Sequence, residues 1–367
     1  MRYISLFSGV GGLEHPHVKP SLLCEIDPTC HQVLHRLSPT ADFVDDVRTL
    51  RPGRADLVAG GFPCQDLSVA GRMHGLVGTR SGLFYEMVRV ASEAHADHLV
   101  IENVPNLLRL SSGSLMRTVI DSLSRRWPYI SWRTLNARQF ALPQQRRRCI
   151  IIASRDRSVA LKLFRAIRSR ADSLCENPKA CGFYTTAGSR SICYSRGYVP
   201  TLKVGSSINI PTPPGIHLGT MIRKASASEC LALQGFERRF FRGMSDRDVY
   251  RTMGNAVPVP MGRFAMRCID TNNLTPPRLE EARMIGWTGF FDGQLWAPVG
   301  IKDGVLATNL DNFVEPSDDS LSRRAASGLV RRLERSGTGC PADLFRQLKF
   351  LSRSASHQPV TDKRSAR

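Results

Sequence analysis

The chain of 367 residues alternates short apolar runs with longer amphipathic segments, and this alternation restricts its fold more than any other feature. We interpret the apolar runs as strands, at residues 3–7, 21–24, 57–59, 98–101 and 149–153. Amphipathic stretches at 83–94 and 115–126 are predicted helices. Strands that alternate with helices favour a mostly parallel sheet with helices on both faces. We therefore predict an α/β, Rossmann-like fold.

Composition divides the chain into three parts. Residues 177–219 are rich in Gly, Pro, Ser and Thr, which is typical of a small loop-rich domain, whereas an apolar segment within 251–268 is expected to pack back on the first domain. Beyond residue 271 two Asp-Gly turn signals, Asp292-Gly293 and Asp303-Gly304, indicate hairpins, and two helices are predicted after them. We predict a first domain of 1–155 completed by 245–270, a second of 156–244, and a basic C-terminal extension of 271–367. That extension is either a DNA-binding or partner-binding appendage or a basic solvated tail.

The charge balance favours a polyanionic partner. The chain has 51 Lys and Arg against 32 Asp and Glu, a net charge of +19, and cations that bind phosphates release condensed counterions. Nucleic acid is favoured over an anionic membrane surface, because no long helix pairs a basic face with an aromatic one. A basic but otherwise ordinary enzyme stays open on charge alone. No apolar run approaches the roughly 20 residues that span a bilayer, and no signal-peptide pattern opens the sequence, so we expect a cytoplasmic protein.

The ten cysteines are scattered and form no Cys-x-x-Cys pair, which indicates reduced thiols. Cys175, Cys181 and Cys193 have irregular spacing and no nearby histidine, and His15 and His17 have no suitably spaced carboxylate or thiol. We therefore predict no metal site.

Four polar motifs follow predicted strands. A glycine-rich turn follows the first strand, and Glu25 ends the second, a pattern as common in plain structural turns as in nucleotide sites. Cys64 stands on a glycine- and proline-flanked loop, which favours a nucleophile over a buried structural thiol. Glu102 either caps a turn or acts as an acid with a raised pKa. The three arginines at 146–148 make either a solvated face or a site that holds bases and phosphates.

Taken together and in order, these motifs resemble the DNA cytosine-5 methyltransferase family. The resemblance covers roughly residues 3 to 268 and is most specific in its Pro-Cys-Gln and Glu-Asn-Val elements. The matching elements are Phe7-Ser8-Gly9-x-Gly11-Gly12, Glu25-x-Asp27, Asp46-Val47, Gly61-Phe62-Pro63-Cys64-Gln65, Arg80-x-Gly82-Leu83-Phe84, Glu102-Asn103-Val104, Asn136, Gln144-x-Arg146-x-Arg148, Arg223 to Gly235-Phe236, and Gly254-Asn255-Ala256-Val257-Pro258.

The resemblance implies S-adenosyl-L-methionine as the cofactor. Glu25 would take its ribose hydroxyls, Asp46 would read its adenine amino group, Leu83 would pack on the adenine ring, and Asn255 would close the methionine end. The full implied cofactor set is Phe7, Ser8, Gly9, Gly11, Gly12, Glu25, Ile26, Asp46, Val47, Pro63, Leu83, Asn255 and Ala256.

The resemblance also implies a mechanism. Cys64 would attack C6 of a cytosine flipped out of the duplex, Glu102 would hydrogen-bond N3 and the exocyclic amine, and Arg148 would neutralise charge at O2. Arg146 would help to hold the nucleophile loop, and no side chain stands out as the base for the C5 proton. The implied DNA contacts are Gln65, Ser68, Gln144, Thr201 and Arg223.

Two departures from the family pattern bear on the prediction. The segment between Gly12 and Glu25 is about one helical turn short and carries Pro16 and Pro20, so its helix should be truncated or irregular. The stretch between the arginine motif and Thr201 is also short, which suggests a short target site. The resemblance implies a monomer that acts on double-stranded DNA and protects it from a cognate restriction endonuclease without a stable complex. An RNA cytosine-5 methyltransferase, such as one acting on transfer RNA, and a catalytically silent DNA-binding regulator are the alternatives.

Overall fold

A computed structural model describes residues 1–63, 82–165, 179–184, 193–204, 211–270, 310–315, 320–336 and 342–353, and the backbone of 289–291 and 296–298. The strands are β1 (Tyr3–Leu6), β2 (Leu22–Cys24), β3 (Asp42–Val44), β4 (Leu57–Gly60), β5 (His98–Asn103), β6 (Tyr129–Asn136), β7 (Gln144–Gln145), β8 (Arg147–Ser154), β9 (Cys181–Phe183), β10 (Tyr194–Arg196), β11 (Val199–Pro200), β12 (Gly215–Leu218), β13 (Met221–Lys224), β14 (Gly289–Phe291) and β15 (Trp296–Pro298).

The helices are α1 (Pro28–Leu37), α2 (Leu83–Glu93), α3 (Ser114–Ser124), α4 (Arg157–Leu161), α5 (Ala227–Gln234), α6 (Asp246–Asn255), α7 (Val259–Arg267), α8 (Arg323–Ser336) and α9 (Ala342–Arg353). Short 3₁₀ turns lie at Pro105–Leu108, Leu110–Gly113, Ala137–Phe140, Lys162–Phe164, Arg238–Phe241 and Leu310–Phe313. None of the helices in the described ranges is long and apolar enough to cross a membrane.

A nine-stranded sheet forms the centre of the molecule, in the order β15-β14-β6-β8-β5-β4-β1-β2-β3. Strands β1 to β5 pair in parallel, whereas β8, β6, β14 and β15 are joined to β5 and to one another by antiparallel pairing. Helices α2 and α3 pack on one face of this sheet, and α4 and α7 pack on the other. The predicted α/β architecture with helices on both faces is therefore confirmed, although the sequence did not indicate the antiparallel half.

Two of the strands that the apolar runs predicted are enclosed on both faces. All four residues of β4 are buried, as are Leu99, Val100 and Ile101 of β5. A strand covered on both faces cannot expose either set of alternating side chains, so its sequence is continuously apolar. This is why these two strands could be recognised from sequence.

The expected first helix is absent, since residues 7–21 contain no helix between β1 and β2. A polar contact holds this segment instead. The Nδ1 atom of buried His15 accepts hydrogen bonds from the backbone amides of His17 (3.2 Å) and Val18 (3.1 Å), and its Nε2 atom lies 3.0 Å from Asp270 Oδ1. Because Nδ1 accepts, the geometry assigns the proton to Nε2, facing the carboxylate. His15 therefore anchors the segment to the end of α7.

Helix α7 also approaches the glycine turn through two glycines. A Cβ atom added at Gly262 would lie 2.1 Å from the Gly12 carbonyl oxygen, and one added at Gly12 would lie 2.1 Å from the Val257 carbonyl oxygen. Both clashes are with backbone, which cannot rotate away as a side chain can. These glycines let α7 and the residues before it approach the backbone of the glycine turn directly.

Gly262→Ala is expected to lower the free energy of unfolding by about 3 kcal/mol, the upper end of the usual cost of overpacking. Gly328→Ala in α8 is the matched control, because a Cβ there would meet nothing within 4 Å. That substitution should raise stability by about 0.5 kcal/mol, since alanine restricts the unfolded chain. Guanidinium unfolding midpoints measure both changes. Equal midpoints for the two variants would contradict the close approach of α7 to the turn.

A second sheet, in the order β10-β9-β12-β13, lies between two layers of helices. Ile216 of β12 packs in a cluster with α5 and α6, whereas Phe183 and Ile222 pack in another with α8 and α9. A short parallel pair joins β11 to β7, so the arginine motif is physically linked to this unit.

The C-terminal segment packs against both sheets. Strands β14 and β15 pair antiparallel, and β14 extends the central sheet by pairing with β6. The predicted Asp292-Gly293 turn lies outside the described residues. Helices α8 and α9 confirm the two predicted helices, while the second turn signal, Asp303-Gly304, lies outside the described residues. The interpretation of 271–367 as a solvated tail is therefore wrong for its described parts.

Candidate active site

The glycine turn follows β1 at the point where the strand order of the parallel sheet reverses. Open α/β sheets bind ligands at such a point, beyond the carboxyl ends of the strands. Three residues of the turn have positive φ angles, Phe7 (52°), Gly9 (54°) and Gly11 (82°). Phe7 carries a side chain in this disfavoured region, so surrounding contacts must impose its conformation. A Cβ atom added at Gly9 would meet nothing within 4 Å, which shows that the backbone there borders open space.

Glu25 is fixed to this turn by its own carboxylate. Oε2 accepts a hydrogen bond from the Gly9 amide at 2.7 Å, and Oε1 accepts one from the Asp27 amide at 2.8 Å. A carboxylate oxygen has more than one acceptor direction, so both oxygens can still accept from a diol. The arrangement holds Glu25 in one orientation at the end of β2.

A cleft of about 690 Å³ opens above these strand ends, a size suited to a small-molecule cofactor. Of the predicted cofactor residues, all but one line it: Phe7, Ser8, Gly9, Gly12, Glu25, Ile26, Asp46, Val47, Pro63, Leu83, Asn255 and Ala256. Gly11 is the exception. A Cβ at Gly11 would lie 2.6 Å from Leu37 Cδ1, so Gly11 packs closely against α1, and its assignment to the cofactor set stays a prediction.

Two lining residues show how the cleft could hold an adenosyl group. Ile26 is 66% exposed, which leaves an apolar surface at the mouth for a flat ring to cover. Asp46 is half-buried, and Arg48 donates to both of its carboxylate oxygens. This contact lowers the pKa of the Asp46 carboxyl and keeps it charged.

Glu102 and Arg148 meet at the inner end of the same cleft. Strand β8 runs antiparallel to β5, so the beginning of β8 lies beside the end of β5 and brings Arg148 Nε to 2.7 Å from Glu102 Oε1. Both side chains are buried. Burial raises the pKa of the Glu102 carboxyl, while the charges of Arg148 and Arg146 oppose the rise. The pair thus offers a carboxyl that can hold a proton beside a fixed cation.

The approach of the next loop to this pair depends on Gly61. A Cβ atom there would lie 2.8 Å from Glu102 Oε2. Asn103 adds a contact that sequence reasoning did not single out, because its amide donates to the Phe62 carbonyl oxygen at 3.0 Å. The two strand ends are therefore joined directly, just before residue 64.

Cys64, Gln65 and Ser68 lie outside the described residues, so their predicted roles remain predictions.

Arg146 is fully buried and does not line the cleft that the described residues form. Its guanidinium donates to the carbonyl oxygens of Leu202 (3.0 Å), Gly254 (2.9 Å) and Ala256 (2.6 Å). It therefore ties the second unit and the end of α6 to β8. In the described residues Arg146 positions the cleft, and its predicted role toward the Cys64 loop stays a prediction.

Two of the residues predicted to contact DNA are also buried, and their role in binding DNA stays a prediction. Gln144 is fully buried, and its amide donates to the Leu233 carbonyl oxygen and accepts from the Leu202 amide. Arg223 is also buried. It forms a bidentate ion pair with Glu229 and donates to the Glu315 carbonyl oxygen. Neither side chain can reach a duplex while it holds these partners.

Thr201 is half-buried, and its hydroxyl donates to the Gln145 carbonyl oxygen. The predicted DNA contact of Thr201 stays a prediction.

An ion pair at the rim of the cleft was not predicted. Arg251 of α6 donates to Asp27 Oδ2 at 2.8 Å and to the Thr29 hydroxyl at 2.6 Å. Asp27 also caps the start of α1, where a following proline is a readable signal for a helix start. Arg251 lies 224 residues from Asp27 in the sequence, so the sequence alone could not identify it as the partner of Asp27.

A family profile and several known proteins match this chain. The C-5 cytosine-specific DNA methylase family profile matches residues 1–179 and 176–270. Type II methyltransferase M2.BsuMI of Bacillus subtilis is 33% identical over 321 residues, which cover 80% of this chain and 79% of the relative. Type II methyltransferase M.MspI of Moraxella sp. is 28% identical over 286 residues, covering 71% of this chain and 68% of the relative.

Among solved structures, a protein described as a DNA modification methyltransferase of an Escherichia coli prophage has a similar fold. The TM-score is 0.54 at 19% identity, over 73% of this chain and 98% of the other. The family profile matches most of the chain, and so does the alignment with the B. subtilis relative. We conclude that the chain belongs to the C-5 cytosine-specific DNA methylase family, whose members use S-adenosyl-L-methionine to methylate cytosine in DNA.

Proposed function

We propose that this enzyme methylates cytosine at C5 through a covalent adduct on Cys64, with Glu102 and Arg148 holding the base. The observation that carries the proposal is the buried Glu102–Arg148 pair, which lines the same cleft as the glycine turn and Glu25. A carboxyl and a guanidinium side by side match the hydrogen-bonding edge of a cytosine. The two side chains line the inner end of the cleft, where a flipped base would lie next to a cofactor bound at the glycine turn.

The cleft fits S-adenosyl-L-methionine. The open backbone at Gly9, the oriented carboxylate of Glu25 and the exposed side chain of Ile26 suit a ribose and an adenine ring. Asn255 and Ala256 would border the methionine end, and Arg146 keeps the carbonyl oxygen of Ala256 in place. When bound, the cofactor supplies an electrophilic methyl group.

The residues of this chain have distinct tasks in the reaction. The Cys64 thiolate adds to C6 of the cytosine, a bond that turns C5 into a carbon nucleophile. Glu102, whose pKa is raised by burial, donates its proton toward N3, and Arg148 stabilises negative charge at O2. After C5 is alkylated, its proton leaves to solvent or a solvent-derived base, the electrons of that bond expel the Cys64 thiolate, and N3 returns its proton to Glu102. The products are 5-methylcytosine and the regenerated thiolate.

The substrate is proposed to be a specific sequence in double-stranded DNA. A base inside the stack cannot reach Cys64, so the target must be flipped out of the duplex. The second unit, from β9 to β13, would read the sequence, and the net charge of +19 favours binding of the duplex. Similarity to Type II methyltransferases supports a role in protecting DNA from restriction. We further propose a monomer that shares its site with an endonuclease without forming a stable complex with it.

The test is transfer of a labelled methyl group from S-adenosyl-L-methionine to mixed-sequence duplex DNA and, separately, to total RNA. We expect label in DNA only, recovered as 5-methylcytosine by nucleoside analysis, and sequencing would then give the target site. Label in RNA alone would contradict the proposal, as would label on N4 of cytosine or on adenine, because neither of those reactions needs a thiolate at C6.

A further inference from the structure

Helices α8 and α9 carry arginines on their outward faces. On α8, Arg324, Arg331 and Arg335 are spaced by seven and four residues, which places them on one side of the helix. All three are exposed. The opposite side of α8 carries buried Ala326 and Leu329, which pack toward the second sheet. The arginine row therefore faces away from the protein.

Helix α9 repeats the arrangement. Arg346 and Arg353 are exposed and seven residues apart, and Leu344 and Leu348 on the other side are buried. We name the five exposed side chains on the two helices the C-terminal basic face: Arg324, Arg331, Arg335, Arg346 and Arg353.

The acidic residues on these helices do not neutralise the basic face. Glu334 pairs with Lys349 at 3.2 Å, and Asp343 lies 3.9 Å from His217 Nε2. Within the described ranges, none of the five arginines has a carboxylate within ion-pairing distance. Five cations that no described carboxylate offsets make this surface attractive to a polyanion, whereas a merely solvated face would need no such segregation of charge.

The basic face is rigidly attached to the second unit. Leu329 and Leu348 share a cluster with Phe183 and Ile222 of the second sheet, and Gln347 donates to the Gly219 carbonyl oxygen at 2.8 Å. The Arg324–Arg335 row is roughly 16 Å long, the axial length of about five base pairs. A contact made here would therefore orient the unit that reads the target.

We propose that the C-terminal basic face binds duplex DNA phosphates that flank the target and so fixes the orientation of the second unit on the duplex. The proposal rests on the proposed function, since it takes duplex DNA as the substrate. Contacts to phosphate set position and carry no sequence information. They should therefore strengthen binding to any duplex and make it more sensitive to salt.

The test compares full-length proteins in which three arginines are replaced by glutamine. The first variant is Arg324→Gln/Arg331→Gln/Arg335→Gln. The matched control, Arg54→Gln/Arg125→Gln/Arg126→Gln, removes the same charge from exposed positions. The three control positions lie just before β4 and β6. The first residues of these strands lie at the end of the sheet opposite Glu102, far from the cleft. The observable is the slope of log K against log salt concentration for a short mixed-sequence duplex, measured by fluorescence anisotropy.

We expect the magnitude of the negative slope to decrease by about 1 for each phosphate that the first variant no longer binds, and so by up to about 3. The slope of the control should stay unchanged. Equal slopes for the two variants would overturn the inference. So would a loss of affinity confined to structured RNA. Thermal unfolding of each variant checks that the fold is kept, and Arg346→Gln/Arg353→Gln provides an independent variant whose slope should fall by up to about 2.

The outcomes separate this inference from the proposed function. If the wild-type protein methylates DNA and the slopes are equal, the inference fails and the proposed function stands. If the wild-type protein transfers no methyl group and the slope still falls in the first variant only, the proposed function fails and the basic face remains a duplex-binding surface.

Discussion

Cys64→Ala is expected to reduce methyl transfer at least about 10⁴-fold, because without a thiolate no adduct forms at C6 and C5 stays unreactive. Binding of S-adenosyl-L-methionine should be retained, since the side chains that line the cleft are unchanged. Binding of duplex DNA should be retained as well. Labelled methyl transfer measures the first effect, and equilibrium binding measures the other two.

The matched control for this variant is Cys193→Ala, which removes an exposed thiol next to β10. Its transfer rate should equal that of the wild type. A duplex with 5-fluorocytosine at the target gives a second readout, because fluorine at C5 cannot leave as a proton and the adduct should persist through denaturation. Transfer by Cys64→Ala within tenfold of wild type, or persistent adduct in that variant, would rule out the mechanism.

Glu102→Gln is expected to lower kcat by about 10²- to 10⁴-fold, the usual contribution of a positioned acid. Glutamine keeps the shape of the side chain but cannot give a proton to N3. The KM for S-adenosyl-L-methionine should change little, because Glu25 and the glycine turn hold the cofactor independently of Glu102. A loss that falls on cofactor KM with kcat unchanged would contradict the assignment of Glu102 to the base.

The same variant has a pH signature. Burial raises the pKa of Glu102, so the protonated acid is present below that pKa and is lost as the pH rises through it. Wild-type kcat should therefore fall on the alkaline side. In Glu102→Gln that decline should disappear from the residual activity. A merely structural role for Glu102 would leave the alkaline decline in place.

Sequence reasoning succeeded where a residue's neighbours along the chain define its surroundings. Continuous apolar runs predicted β4 and β5, and the motifs at the ends of β2 and β5 carry Glu25 and Glu102, which line one cleft. Strand β6 was missed because polar Ser131 and Arg133 interrupt its apolar pattern, although both are buried in the fold.

Sequence reasoning failed where burial depends on a distant partner. Gln144 and Arg223 look like exposed recognition residues, since polar and charged side chains are mostly exposed. Gln144 is buried by contacts with Leu233, 89 residues away, and Arg223 by Glu229 together with the distant Glu315. Arg146 follows the same pattern through Gly254, 108 residues away. Only the folded structure brings these partners together.

The extension of the central sheet by β14 has a consequence for synthesis on the ribosome. The edge of β6 that β14 covers is translated roughly 150 residues before β14, which at usual elongation speeds is on the order of ten seconds or more. During that interval the nascent sheet presents unpaired backbone donors and acceptors, a template for pairing with another chain. The enzyme therefore emerges with an open edge, and the last quarter of the chain closes it.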